Sequence, residues 1–149
     1  MLTPERTGRR WRDYLMGFAR QAATMSKDST KVGAAAFGDV RQILETGFNG
    51  LPRGVDDLPE RMERPAKYLW TGHAEENLVA HAARPRLAGS TVYVTHFCCS
   101  RCARMLINAG VARVVVGDGS TSMPAEEFEA AAVMFREAGV EIEEMRDAA

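Results

Sequence analysis

No stretch of the chain approaches the roughly 20 consecutive apolar residues that a membrane-spanning helix requires. The charged opening MLTPERTGRRWRD also lacks the apolar core of a signal peptide. The expectation is a cytoplasmic protein with no membrane partner. An excess of one charge is missing too. Nineteen Lys and Arg against 20 Asp and Glu leave a formal net charge of -1, which excludes the strongly basic surface behind extended nucleic-acid binding. Cysteine is scarce and clustered: Cys98, Cys99 and Cys102 are the whole supply of 3. A secreted disulfide scaffold spreads an even number along the chain, so stapling is the wrong reading. Internal repeats, low-complexity tracts and linkers are absent. With 46% hydrophobic and 26% charged residues over 149 positions, a single domain spanning residues 1–149 is expected.

What is present is hydrophobic periodicity. Trp11, Tyr14, Leu15, Phe18, Ala22 and Met25 follow three-and-four spacing, which predicts a helix from Trp11 to Met25 burying that face. Val32 to Phe37 and Ile43 to Phe48 read as two strands joined by a short hairpin. Asn49 to Thr71, broken by Pro52, Pro59 and Pro65, reads as a long irregular segment of the kind compact domains keep for function. Beyond it the spacing predicts a helix over Gly72–Ala83, a strand over Ser90–Thr95 and a helix over Ser100–Asn108. A strand over Arg113–Val116, a helix over Ala125–Ala138 and a strand over Val140–Met145 follow. This alternation implies an α/β fold: a three-layer sandwich with a mixed sheet of about five strands and helices on both faces.

Two short stretches carry chemistry: His73-Ala74-Glu75 opening one helix, and Cys99-Ser100-Arg101-Cys102 opening another. Each is common by chance. Together they offer one imidazole and two thiolates, three ligands for Zn²⁺ with the fourth tetrahedral position left for water, the pattern of a catalytic rather than a closed structural site. Cys99 and Cys102, three apart, share a face in a first helical turn. His73 and Glu75, two apart, share a cavity only around a helix end. The metal therefore belongs at two helix N-termini, whose exposed N–H groups and dipoles stabilise thiolates. Glu75, beside the metal, suits proton transfer.

These residues resemble the cytidine deaminase superfamily, and within it the deoxycytidylate (dCMP) deaminases. The likeness extends to Ser26-Lys27-Asp28-Ser29-Thr30-Lys31-Val32-Gly33-Ala34, Thr46-Gly47-Phe48-Asn49-Gly50-Leu51-Pro52, Lys67-Tyr68, Val92-Tyr93-Val94-Thr95 and Ala109-Gly110-Val111, in that family's order over about residues 11 to 117. The resemblance implies that His73, Cys99 and Cys102 bind zinc and that Glu75 is the acid/base. It also implies that Asn49 holds the sugar and that the Ala74 N–H meets the pyrimidine carbonyl. The implied reaction is hydrolytic deamination of dCMP, or a 5-substituted dCMP, to dUMP and ammonia. A homo-oligomer, often a hexamer, regulated by dCTP and dTTP with Mg²⁺, is implied as well. Two positions depart from the pattern: Cys98 stands where the family has Pro, and Asp28 runs straight to Ser29 without an intervening Pro.

Other readings stand beside these. The same chemistry could act on another nucleoside, a base or a tRNA adenosine, and a degraded nucleotide-binding regulatory module would keep the zinc without turnover. Ser26, Lys27 and Lys31 are candidates for a 5′-phosphate or a solvated turn. Arg53, Arg61 and Arg64 are further phosphate candidates, offset by Asp56, Asp57, Glu60 and Glu63. His96 and Phe97 could stack on a pyrimidine or belong to the core. Cys98 reads as a small buried hydrophobe, and His81 as structural.

Overall fold

The computed structural model describes residues 8–145. The charged start, residues 1–7, and residues 146–149 lie outside it. Among the described residues no helix is long and apolar enough to cross a membrane. The element order is α1 (Arg9–Ala23), β1 (Gly33–Phe37), β2 (Ile43–Phe48), a 3-10 turn (Pro59–Met62), α2 (Lys67–Trp70), α3 (Ala74–His81), α4 (Arg84–Leu87), β3 (Thr91–His96), α5 (Ser100–Asn108), β4 (Arg113–Gly119), α6 (Ala125–Ala138) and β5 (Glu141–Glu144).

The strands form one sheet in the order β2-β1-β3-β4-β5. β1 is antiparallel to both β2 and β3, whereas β3, β4 and β5 run parallel. The parallel pairs need crossovers, which α5 and α6 supply. Side chains alternate between two cores, as the pleat requires. Ala35, Phe37, Tyr93 and Val115 point to α1, where Leu15, Met16 and Ala19 cover them. Ala34, Ala36, Val92, Val94, Val114 and Val116 point the other way, towards Leu78 of α3, Leu106 of α5 and Phe135 of α6. The mixed five-stranded sheet with helices on both faces is as the sequence reading has it.

α1 differs in which face it buries. The expected stripe leaves Trp11, Tyr14 and Met25 exposed, and the buried residues are Leu15, Met16, Ala19 and Ala23. Ala19 and Ala23 lie where the helix backbone approaches β1 closely: a Cβ on Gly33 would lie 1.9 Å from the Ala19 carbonyl oxygen and 2.6 Å from the Ala23 nitrogen, while Leu15 and Met16 fill the rest of the buried face. The displaced aromatics form an edge-to-face series, Trp11 on Tyr14 and Tyr14 on Phe18, continuing through Phe37 to Tyr93. The helix expected over Gly72–Ala83 is shorter, and α4, with Pro85 in its first turn, is an element the periodicity did not show. The irregular segment contains the 3-10 turn and α2.

Candidate active site

His73 and Cys99 are the N-cap residues of α3 and α5, each with extended backbone before its helix. The His73 N–H is met by the Glu76 carboxylate at 3.1 Å, which fixes the start of α3. Gly47 lets α3 settle on β2, since a Cβ there would lie 2.5 Å from the Ala74 carbonyl oxygen. Packing of α3 against α5 then brings the two caps together.

His73 Nδ1 lies 3.3 Å from Cys102 Sγ and 3.4 Å from Cys99 Sγ, and the three ligand atoms all fall within 4.8 Å of one another. A zinc ion with Zn–S of about 2.3 Å and Zn–N of about 2.0 Å at the tetrahedral angle places N and S roughly 3.5 Å apart. The observed N–S separations match the edges of such a tetrahedron, and the donor set fits Zn²⁺. The two sulfurs divide their protonation. A hydrogen bond from Cys102 holds the Cys99 thiol down to about 4, while the same bond, with burial, pushes Cys102 up. The bond to Cys99 raises His73, against the pull of burial.

Glu75, in the first turn of α3, is 4% exposed. Burial pushes its carboxyl up from the ordinary carboxylate value. Cys98 is fully buried, and burial likewise lifts its thiol well above the ordinary range; Glu75 adds to the effect. Cys98 is not in the three-ligand group.

The group opens on a cavity of about 120 Å³ whose wall includes His73, Ala74, Glu75 and Cys99 together with Asn49, His96 and Phe97. Ala74 is the first residue of α3, so its N–H is one of the helix's orphan donors. Phe97 is held edge-on by Phe128, with centroids 5.9 Å apart. His96 Nδ1 lies 2.7 Å from the Thr95 hydroxyl, which also accepts the Gly33 N–H; burial lowers the pKa of its ring. Ser26 and Lys27 are elsewhere. Ser26 is buried beneath the cavity, donating to the Asn49 carbonyl at 2.8 Å. Lys27 is exposed, paired with Asp57, and lines a second cavity of about 410 Å³ with Arg53, Phe48, Asn77 and His81.

Three parts of the first cavity were given no role in the sequence reading, although Asp28 and Lys67 lie in segments that carry the resemblance. Asp28 and Lys67 meet in its wall, and Thr121, Ser122 and Met123 of the β4–α6 loop close another side. No local spacing marks these residues, because β4 runs three residues past its predicted end and carries that loop forward. Arg64, exposed and one of several arginines named from charge alone, also lines the cavity.

Fold and donor set together define a metal-dependent deaminase: imidazole, two thiolates and a buried carboxylate at the meeting of two helix N-termini above a mixed sheet. The sequence profile of the cytidine and deoxycytidylate deaminase zinc-binding region matches residues 9–118. A deaminase of Aliivibrio fischeri encoded 3′ of luxG, itself uncharacterised, is 39% identical over 137 residues, covering 89% of this chain and 92% of its own. The mouse deoxycytidylate deaminase is 34% identical over 137 residues, covering 87% of this chain and 76% of its own. Among solved structures, the apo form of the dCMP deaminase from cyanophage S-TIM5 superposes with a TM-score of 0.70 at 26% identity, over 97% of this chain and 100% of the other. This chain belongs to the cytidine and deoxycytidylate deaminase zinc-binding family.

Proposed function

We propose that the chain deaminates dCMP, or a 5-substituted dCMP, to dUMP and ammonia. The reading is carried by the convergence of His73, Cys99 and Cys102 beside buried Glu75 on a cavity that also holds Asn49 and Arg64. The mouse and human relatives at 34% and 33% identity, both deoxycytidylate deaminases, support the nucleotide. His73, Cys99 and Cys102 would hold the zinc ion, which when bound would supply Lewis-acid activation of water. Glu75 takes one proton from the attacking water and delivers it to the ring nitrogen, then passes the second, from the hydroxyl added at C4, to the C4 amine, which leaves as ammonia as the C4 carbonyl forms. The Ala74 N–H orients the pyrimidine carbonyl, Phe97 stacks on the base, Asn49 holds the sugar and His96 completes the wall. Arg64, exposed and in no ion pair among the described residues, is the cation for the 5′-phosphate. The test is a turnover panel of dCMP, deoxycytidine, cytidine, guanine and tRNA, with zinc stoichiometry. dCMP is expected to lead, and cytidine turnover above dCMP turnover overturns the substrate. R64Q is expected to raise KM for dCMP and leave deoxycytidine unaffected.

The second cavity supports regulation. Lys27 and Arg53 line it, and it shares Asn49 with the first. dCTP with Mg²⁺ activates there and dTTP inhibits, within a homo-oligomer of hexameric form. Rate curves that neither nucleotide moves reject the regulation, and a monomeric mass by light scattering rejects the assembly. The chain works where free nucleotides are, in the cytoplasm.

A further inference from the structure

Two of the least exposed polar side chains carry opposite charges: Lys67 is 6% exposed and Asp28 5%. Lys67 Nζ donates to Asp28 Oδ1 at 2.9 Å, joining segments 39 residues apart in the cavity wall. Burial alone would raise the Asp28 carboxyl; the Thr30 N–H and Lys67 together hold it below its usual range. The same Oδ1 accepts the Thr30 N–H at 2.9 Å. The Thr30 carbonyl accepts Asn49 Nδ2 at 2.8 Å, and Asn49 Oδ1 accepts the Val32 N–H at 2.9 Å. The Asn49 amide therefore cannot turn over without losing both bonds, and one N–H is left for the cavity that it lines.

Stability is a poor reason for such a pair, because desolvating two charges largely offsets their attraction. A geometric role explains the arrangement better. We infer that Asp28 and Lys67 are a positioning pair: they tie residues 28–32 to the start of α2, and through Thr30 they fix the Asn49 amide at the sugar. Neither touches the reacting atoms. The inference rests on Asn49 as the sugar contact proposed above. It differs from a direct role of Lys67 at the phosphate, which would not require Asp28.

The test compares K67M, K67R and the double variant K67M/D28N by melting temperature, zinc content and steady-state kinetics with dCMP and deoxycytidine. K67M alone strands a buried carboxylate and is expected to fold poorly. The double variant removes both charges while its side-chain carbonyl still accepts from Thr30. It is expected to regain the wild-type melting temperature and zinc content. Its KM stays raised by roughly tenfold for both substrates at nearly unchanged kcat, the pattern of lost uniform binding. K67R keeps the ion pair and is expected to restore KM. Recovery of KM together with stability in the double variant overturns the inference, as does a KM rise confined to dCMP. Hydrogen exchange of the Asn49 side-chain amide in the ligand-free protein decides independently of any substrate. It is slow in wild type and K67R and fast in the double variant, and equal rates in all three overturn the positioning role even if dCMP is not turned over.

Discussion

Three sulfurs within five positions, in two different surroundings, make this site a test of how far residue type predicts role. Cys99 and Cys102 share the ligand group with His73, whereas Cys98 is turned into the core next to Glu75. C99A and C102A are therefore each expected to lose bound zinc by metal analysis, and C98A to retain it; equal loss in all three would mean the register is wrong. E75Q should keep zinc and lose about 10²- to 10⁴-fold in kcat, the usual worth of a general acid/base; near wild-type turnover would remove Glu75 from the mechanism. The metal group was legible in the sequence because its spacing is local, two short motifs each inside one helical turn. Ser26 and Lys27 show the opposite case. Their types suit a phosphate, but residue type carries no direction, and one supports Asn49 from below while the other faces the second cavity.

Elements were legible where packing follows period. α5 and α6 begin and end as their apolar spacing and terminal residues predict. α1 was found but rotated, because a close backbone approach at Gly33 selects alanines over aromatics, and spacing alone does not show what the opposing strand lacks. The same argument makes Gly47 the point of closest approach between β2 and the helix that follows His73. A methyl group there would meet the Ala74 carbonyl at 2.5 Å and the Leu78 nitrogen at 2.8 Å, both backbone atoms of α3. G47A is expected to cost about 1–3 kcal/mol by overpacking and to weaken zinc retention, since the displaced helix carries His73. Denaturant unfolding and metal analysis check both, and a loss of stability with undiminished zinc affinity would show that α3 shifts without moving its cap.

For the molecule as a whole, the buried ion pair sets a pH dependence. Asp28 has a folded pKa below its ordinary value, so the folded state binds fewer protons than the unfolded one as pH falls. Its stabilising contribution is present above the ordinary carboxylate range, near pH 4, and is lost as pH drops through the folded pKa. Melting curves of wild type are expected to fall more steeply on acidification than those of K67M/D28N; parallel curves would show that Asp28 takes no part. The mixed sheet with helices on both faces followed from strand and crossover grammar; its strand order and the cavity wall did not. The wall is assembled from the turn before β1, the start of α2 and the loop after β4, which only the finished fold brings together.

His73 and Cys99, the two N-caps proposed to supply metal ligands, stand 26 residues apart along the chain. A zinc ion shared between them closes a loop of that length, and in the unfolded ensemble such a closure removes chain entropy much as a disulfide does. With zinc bound, the site would in that sense act as a reversible cross-link in a protein whose three cysteines are free. Its strength is set by mass action with the free metal rather than by redox potential. Folding stability is then expected to rise with zinc activity, so a chelator titration should lower the melting temperature progressively, and the population of intact enzyme becomes a readout of zinc supply.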